Sequence, residues 1–371
     1  MNKILTGMVL VLFVAICTIA GCKKMDTIYK AYVVPGGLTY AGKATDPKVY
    51  SGHNRLKIAW PRGADPTVVK AKIYWNNFAD SLTIPILPTT DTVSVIIDSL
   101  LEKSYSFIIY TYDAKGNSSI PVDVIGGSFG DKYQAQLLNR PVNSSILNAQ
   151  GLVTIQWGSA DISNGAFATE VKYIDTAGNS KTVNFSTTEK LSILADLKPN
   201  TKFQYRTMFK PDSMSIDNFY TGYSESGSFN FDKKDWKIID YSSQHSDGDN
   251  AVINFIDGTD ATRWHTDANN SHYPHFATID MGAVRVISQF GLWRTTFETG
   301  GDDRAPDQIQ FLISMDDVNW TDLGIFPFNR FLNGEQSYPI PSLPTGRYFK
   351  FVGVSGPREY MVMGEVSAYG F

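Results

Sequence analysis

The chain has 371 residues, too many for one ordinary domain, so two or three are expected. Hydrophobic residues make up 43% and aromatics 13%, a globular composition rich in strand formers. A net charge of -4 without any Lys/Arg stripe excludes the electrostatic footprint of a nucleic-acid binder.

The first 21 residues are not fold. Lys3 forms a short basic region, and Ile4 to Gly21 is uncharged and apolar, a length at which a membrane span must be considered. Ile19-Ala20-Gly21-Cys22 at its end resembles the lipobox of bacterial lipoprotein signal peptides. The resemblance implies removal of residues 1–21 and lipidation of Cys22, whose acyl chains supply a membrane anchor; residues 22–29 then act as a linker. Cys17 is discarded and Cys22 is modified, so the mature chain keeps no thiol for a disulfide. Lys23, Lys24 and Asp26 follow the cysteine. The single acid partly matches the acidic export cluster of some outer-membrane lipoproteins. An outer-membrane, cell-surface location is expected, with the periplasmic face as the alternative.

Between residues 30 and 232 no long amphipathic helix is legible. Short alternating runs separated by Pro, Gly, Asn and Asp turns predict antiparallel β-sandwiches. Leu56, Ile58 and Trp60 alternate with Lys57 and Ala59, and Asp113 to Asn117 reads as a hairpin turn. The pattern repeats when Val153, Ile155 and Trp157 echo the first run. Trp60 lies 41 residues before Leu101 and Trp157 lies 40 before Leu197, which predicts two copies of one sandwich, at 30–138 and 139–232. Trp60, Trp75 and Trp157 are expected in the core, and Asp131 to Asn143 and Phe231 to Trp236 as linkers.

The second copy resembles a fibronectin type III module through Leu197, Pro199 and Thr201 of its late corner. Phe203 stands where the family has tyrosine, as Phe107 does in the first copy, so the hydroxyl tie at that corner is expected to be missing. The first copy, with Val49-Tyr50-Ser51-Gly52 and Ala71 to Asn77, is similar to an uncharacterised domain of exported bacterial lipoproteins. Neither sandwich carries a carboxylate pair, nucleophile elbow or metal motif, so both read as spacers or protein-contact surfaces.

The composition shifts over residues 236–371. Four of the five histidines and four of the seven tryptophans fall there, among continuing strand signals. Five pieces occur in order: Phe255-Ile256-Asp257-Gly258-Thr259-Asp260-Ala261-Thr262-Arg263-Trp264-His265-Thr266, then Phe276 to Gly282, Phe311 to Trp320, Arg347 to Phe351, and Gly364 to Gly370. Together they resemble the discoidin or F5/8 type C (galactose-binding-like) family, which includes family 32 carbohydrate-binding modules. The resemblance implies an eight-stranded jelly-roll sandwich with its termini close together.

It also implies a structural calcium ion. In members that bind one, the first loop supplies oxygens and a glutamate of the last strand closes the site, which nominates Asp257, Asp260, Thr262 and Glu365. The competing reading is a plain Asp257-Gly258 turn capped by Thr262. Arg263 and Trp264 are expected to hold the fold. His265, His272 and His275 invite a zinc reading, but no His-Glu-x-x-His helix supports it. His272, Tyr273 and His275 are expected beside the ligand surface.

Sugar-binding relatives place aromatic rings and guanidinium groups on loops at one end of the barrel. Carried over, this nominates Arg294, Phe297 and Arg304 in one loop, Arg358 and Tyr360 in the last loop, and Trp293 and His272 beside them. The resulting expectation is an all-β chain, two immunoglobulin/fibronectin-like sandwiches followed by a discoidin-type jelly roll. It is a lipid-anchored, non-catalytic protein that binds a glycan, an accessory of a bacterial polysaccharide-capture system, with outer-membrane proteins as further partners. The alternative is an adhesion or assembly protein whose sandwiches bind a protein or host surface. An enzyme would need two positioned carboxylates in a catalytic domain, and residues 30–232 are already occupied by the sandwiches.

Overall fold

A computed structural model describes residues 34, 37–246, 248–269, 271–297 and 304–371. Residues 1–21, read as a signal peptide, and Cys22 lie outside the described residues. Among those residues no helix is long and apolar enough to cross a membrane. The chain is nearly all β, as expected, and divides into two compact units.

The first unit takes in the described residues up to 50, and 54–128. One sheet orders Lys48–Ser51, Leu56–Pro61 and Thr92–Ile97; the other orders Asp80–Pro85, Val68–Trp75, Lys103–Asp113 and Val122–Ser128. Strand side chains alternate between faces, so Leu56, Ile58 and Trp60 meet Tyr105, Phe107 and Ile109 in one core. The Asp113 hairpin forms as expected. Asp113 Oδ1 accepts from Lys115 N (2.9 Å) and Asn117 N (2.8 Å), and Gly116 takes a φ of 90°. The corner is not without its hydroxyl. Tyr105, two residues before Phe107, donates from its hydroxyl to the Leu101 carbonyl at 3.2 Å. Phe107 is buried in the core instead.

The second unit spans 129–371 with residues 51–53. Its N-terminal part, expected to be a fibronectin-like sandwich, has one sheet of Ser180–Ser186, Ala166–Ile174, Gln204–Phe209 and Phe219–Tyr220, with Ser224–Glu225 alongside. The opposite sheet orders Leu191–Leu194, Val153–Trp157 and Val142–Leu147. Trp157 lies between the sheets and donates from Nε1 to Ser192 Oγ at 2.9 Å.

That second sheet does not end at the module. Phe229–Phe231 pairs in parallel with Val142–Leu147 and antiparallel with Glu365–Gly370 of the last domain. Among the described residues the sheet runs on through His275–Trp293, Thr345–Ser355, Gln308–Ser314 and Trp320–Pro327. The bridging strand Phe229–Phe231 shares only Phe231 with the segment Phe231 to Trp236 expected as a linker. The segment 131–143, also read as a linker, carries a short helix, Asp131–Ala135. The contacts join residues 129–371 into one compact unit. The physical reason is the edge strand Val142–Leu147: its backbone groups are paired by Phe229–Phe231 rather than left to solvent.

His275–Trp293 is the axis of the jelly roll. It belongs to both layers, and its register breaks between Asp280 and Arg285, where Gly282 turns at φ 74°. Aromatic side chains fill the space inside: Phe255, Trp264, Phe290, Phe311, Phe349 and Phe351 are all fully buried. Asp280 and Arg347 clamp the break with two charged hydrogen bonds of 2.8 and 2.7 Å. The pairing of Phe229 with Gly370 puts the way in beside the way out, as the jelly-roll expectation requires.

Candidate functional site

The turn opening the last domain is built on Asp257 and Gly258. A preceding 3-10 turn, Val252–Ile256, buries Val252, Phe255 and Ile256. Asp257 then holds the backbone: Oδ1 accepts from Thr259 N (3.0 Å) and Oδ2 from Thr262 Oγ1 (2.7 Å). Gly258 sits at φ 94°, where any side chain is strained. Trp264 follows, fully buried, its Nε1 donating to Ser243 O at 2.9 Å.

Glu365 reaches this turn from the last strand, and its Oε2 accepts from Gly258 N (2.9 Å) and Thr259 N (3.1 Å). Gly364 beside it packs against the Arg294 backbone, where an added Cβ would stand 2.8 Å from the carbonyl carbon. The Asp260 carbonyl accepts from Thr296 N at 2.7 Å, and Thr262 O from Thr295 Oγ1 at 2.9 Å. The four residues nominated for calcium are thus gathered at one place.

A fifth group is present that sequence reasoning missed. Lys233, from the short 3-10 turn Lys233–Asp235, places its ammonium directly against Glu365 Oε1. The two side chains are 15% and 4% exposed, so this is an interior ion pair. Burial pushes the Glu365 carboxyl up to about 7 and the Lys233 ammonium down, and their mutual attraction opposes both shifts. Calcium takes six to eight oxygens at roughly 2.3–2.6 Å. Here an ammonium and two amide N–H groups point at the only buried carboxylate of the set, an arrangement that does not fit that ion. Among the described residues, no group of three or more His, Cys, Asp or Glu side chains converges into a metal cluster.

Trp293 sits opposite Glu365 in the sheet register. It lines a groove of about 660 Å³ together with Lys233, Asp257, Asp260, Ser367 and Tyr369. The ring therefore belongs to the Lys233 side of the domain. Arg294, nominated as a surface guanidinium, is 4% exposed, with Nη1 turned to the Thr295 carbonyl at 3.4 Å. It begins the loop directly after the strand His275–Trp293, and Gly364 packs against its backbone. Phe297 is exposed, and its ring carries the Arg263 guanidinium 4.4 Å from its centroid. Arg263 also donates from Nε to Asn250 Oδ1 at 2.8 Å, a fold-holding contact. Residues 298–303 of that loop lie outside the described residues.

The last loop meets its neighbours at one end of the jelly roll. Tyr360 stacks on His265 with centroids 5.1 Å apart and planes 15° from parallel, and the His245 ring lies edge-on to His265 with centroids 5.2 Å apart. The Arg304 carbonyl accepts from Val362 N at 3.0 Å, which pins the far end of its loop here. Burial lowers the His265 pKa, the Thr266 carbonyl opposes that, and the Arg304 charge reinforces it. His272 is exposed and bonds Glu359 Oε2 at 2.9 Å, while Arg358 is exposed in the same loop. His275, expected at this surface, is instead buried at the strand start, with Nε2 on the Glu359 carbonyl at 2.7 Å. Tyr360, His265 and Arg304 are brought together, and Arg358 and His272 flank Glu359 next to Tyr360; Arg294 and His275 are buried instead. His265, singled out in the sequence only with His272 and His275 as a zinc candidate, lies buried beneath Tyr360.

Two family models match. DUF4998, a domain of unknown function, matches residues 22–219, and the F5/8 type C domain matches residues 237–365. No curated protein matches the chain. Among solved structures, the C-terminal domain of a chitobiase from Bacteroides fragilis is 25% identical over 38% of this chain and 97% of that one, with a TM-score of 0.34. The module CBM32-3 of a family 31 glycoside hydrolase from Clostridium perfringens is 19% identical over 38% and 96%, with a TM-score of 0.35. The family 32 carbohydrate-binding module of Clostridium perfringens NanJ, solved with galactose, is 15% identical over 38% and 99%, with a TM-score of 0.34. The chain belongs to the DUF4998 family and ends in an F5/8 type C domain.

Proposed function

We propose that the chain binds carbohydrate without transforming it, through the loop end of its F5/8 type C domain. The observation that carries the reading is the parallel stack of Tyr360 on His265, with the Arg304 charge acting on it and exposed Arg358 and His272 flanking the neighbouring Glu359. Such a surface offers a sugar what it needs. An aromatic face takes the C–H side of the pyranose, and planar guanidinium groups make paired hydrogen bonds to adjacent hydroxyls. Tyr360 is the stacking ring and Arg304 the first hydroxyl ligand; Arg358, His272 and Phe297 border them. Arg294 supports the loop from within.

Around that activity stands the wider proposal. The chain is lipidated at Cys22, sits on the outer membrane facing outward, and holds polymer for a polysaccharide-capture system with membrane-protein partners. The F5/8 type C match supports the carbohydrate, and the Ile19-to-Cys22 motif supports the anchor. A glycan array probed with the full chain tests the activity. Retention of a defined glycan class that Tyr360→Ala abolishes supports it. A blank array, with a membrane protein recovered by pull-down instead, favours the adhesion reading.

A further inference from the structure

The buried Lys233–Glu365 pair is used by none of the binding chemistry above, and it stands where the family resemblance leads one to expect a divalent cation. We infer that Lys233 is a built-in replacement for that ion: its ammonium supplies the positive charge that closes the first loop onto the last strand, so that the domain folds without metal.

Three observations carry this. The Glu365 carboxylate is satisfied on both oxygens, by the Lys233 ammonium on Oε1 and by the Gly258 and Thr259 amides on Oε2. Amide hydrogens aimed at a carboxylate repel a cation placed between them, whereas they complement an anion whose counter-charge lies on its other side. Asp257 is directed away into its own turn, toward Thr259 N and Thr262 Oγ1, and acts on Lys233 only through its charge. The lysine also arrives from outside the jelly roll. It lies 132 residues before Glu365, in the turn that follows the bridging strand Phe229–Phe231, and its Nζ stands over the Trp236 ring, 5.8 Å from the centroid. A metal would join two parts of one domain. The lysine joins that domain to the chain leading out of the fibronectin-like module.

The pair is interior, so removing one partner leaves the other charge buried and uncompensated. The test is thermal unfolding of the full chain in EDTA and in calcium chloride, with calorimetric titration of calcium. Wild type is expected to melt at the same temperature in both and to take up no calcium at this site. Lys233→Met is expected to melt about 10 °C lower in EDTA. It should recover part of that loss with calcium, the ion now entering beside Glu365. Lys233→Arg, which keeps the charge, should stay insensitive to calcium. A wild-type melting temperature that rises with calcium overturns the inference, because the lysine then yields to the ion. If Lys233→Met does not fold, the wild-type and Lys233→Arg arms decide: calcium insensitivity in both supports the inference, and a calcium response in either overturns it.

Discussion

The Tyr360 ring lies nearly parallel to the His265 imidazole at 5.1 Å, and the histidine beneath it is 8% exposed. A buried imidazole is favoured in its neutral form, and burial accordingly lowers the His265 pKa. His275, fully buried, is shifted the same way by the same cause. The unfolded chain takes up these protons near the ordinary value of 6.5, before the folded chain does. The stability due to the neutral rings is therefore complete above that value. It is lost as pH falls below it, down through the depressed folded values. Melting temperature should drop between about pH 7 and pH 5, and His265→Gln should make the drop shallower.

Asp280 and Arg347 hold the register break of the long strand. The Arg347 hydrogen bonds keep the Asp280 carboxyl below its usual range, against the opposing effect of burial. Its contribution is present above the ordinary carboxylate pKa and vanishes only as pH falls through the depressed folded value, well below the histidine window. Asp280→Asn should cost about 1.5–3 kcal/mol in a urea melt at neutral pH. An unchanged midpoint would show that the clamp is dispensable.

The bridging strand Phe229–Phe231 predicts that the last domain depends on what precedes it. A fragment of residues 236–371 lacks that strand and Lys233, leaving the edge of Glu365–Gly370 unpaired and the Glu365 carboxylate without its cation. It should melt at a lower temperature than a fragment of 129–371, and aggregate more readily through the exposed edge. Equal melting temperatures for this transition would show that the bridge carries no stability.

Much of this was legible because it rests on patterns local in sequence. Trp60 and Trp157, each on an alternating strand, are buried where equal spacing put them. The run from Phe255 to Thr266 announced the jelly roll, and its tryptophan is at the core. Other features depend on where distant strands arrive. Tyr105 supplies the corner hydroxyl although the motif points to position 107, since a hydroxyl four residues from Leu101 reaches its carbonyl equally well. Arg294 reads as a surface ligand because arginines are mostly exposed, and only the folded chain shows it buried. Lys233 lay in a charged stretch that read as a linker. Nothing in that stretch signals a carboxylate 132 residues away.

The carbohydrate assignment stands or falls on titration calorimetry of the full chain with an oligosaccharide retained on a glycan array, comparing wild type, Tyr360→Ala, Arg304→Ala and Arg358→Ala. Loss of the stacking ring should weaken binding about tenfold, and loss of the Arg304 guanidinium by a similar factor, with the melting temperature little changed. Undiminished affinity in both the Tyr360 and Arg304 variants would contradict the placement of the site at this end of the domain.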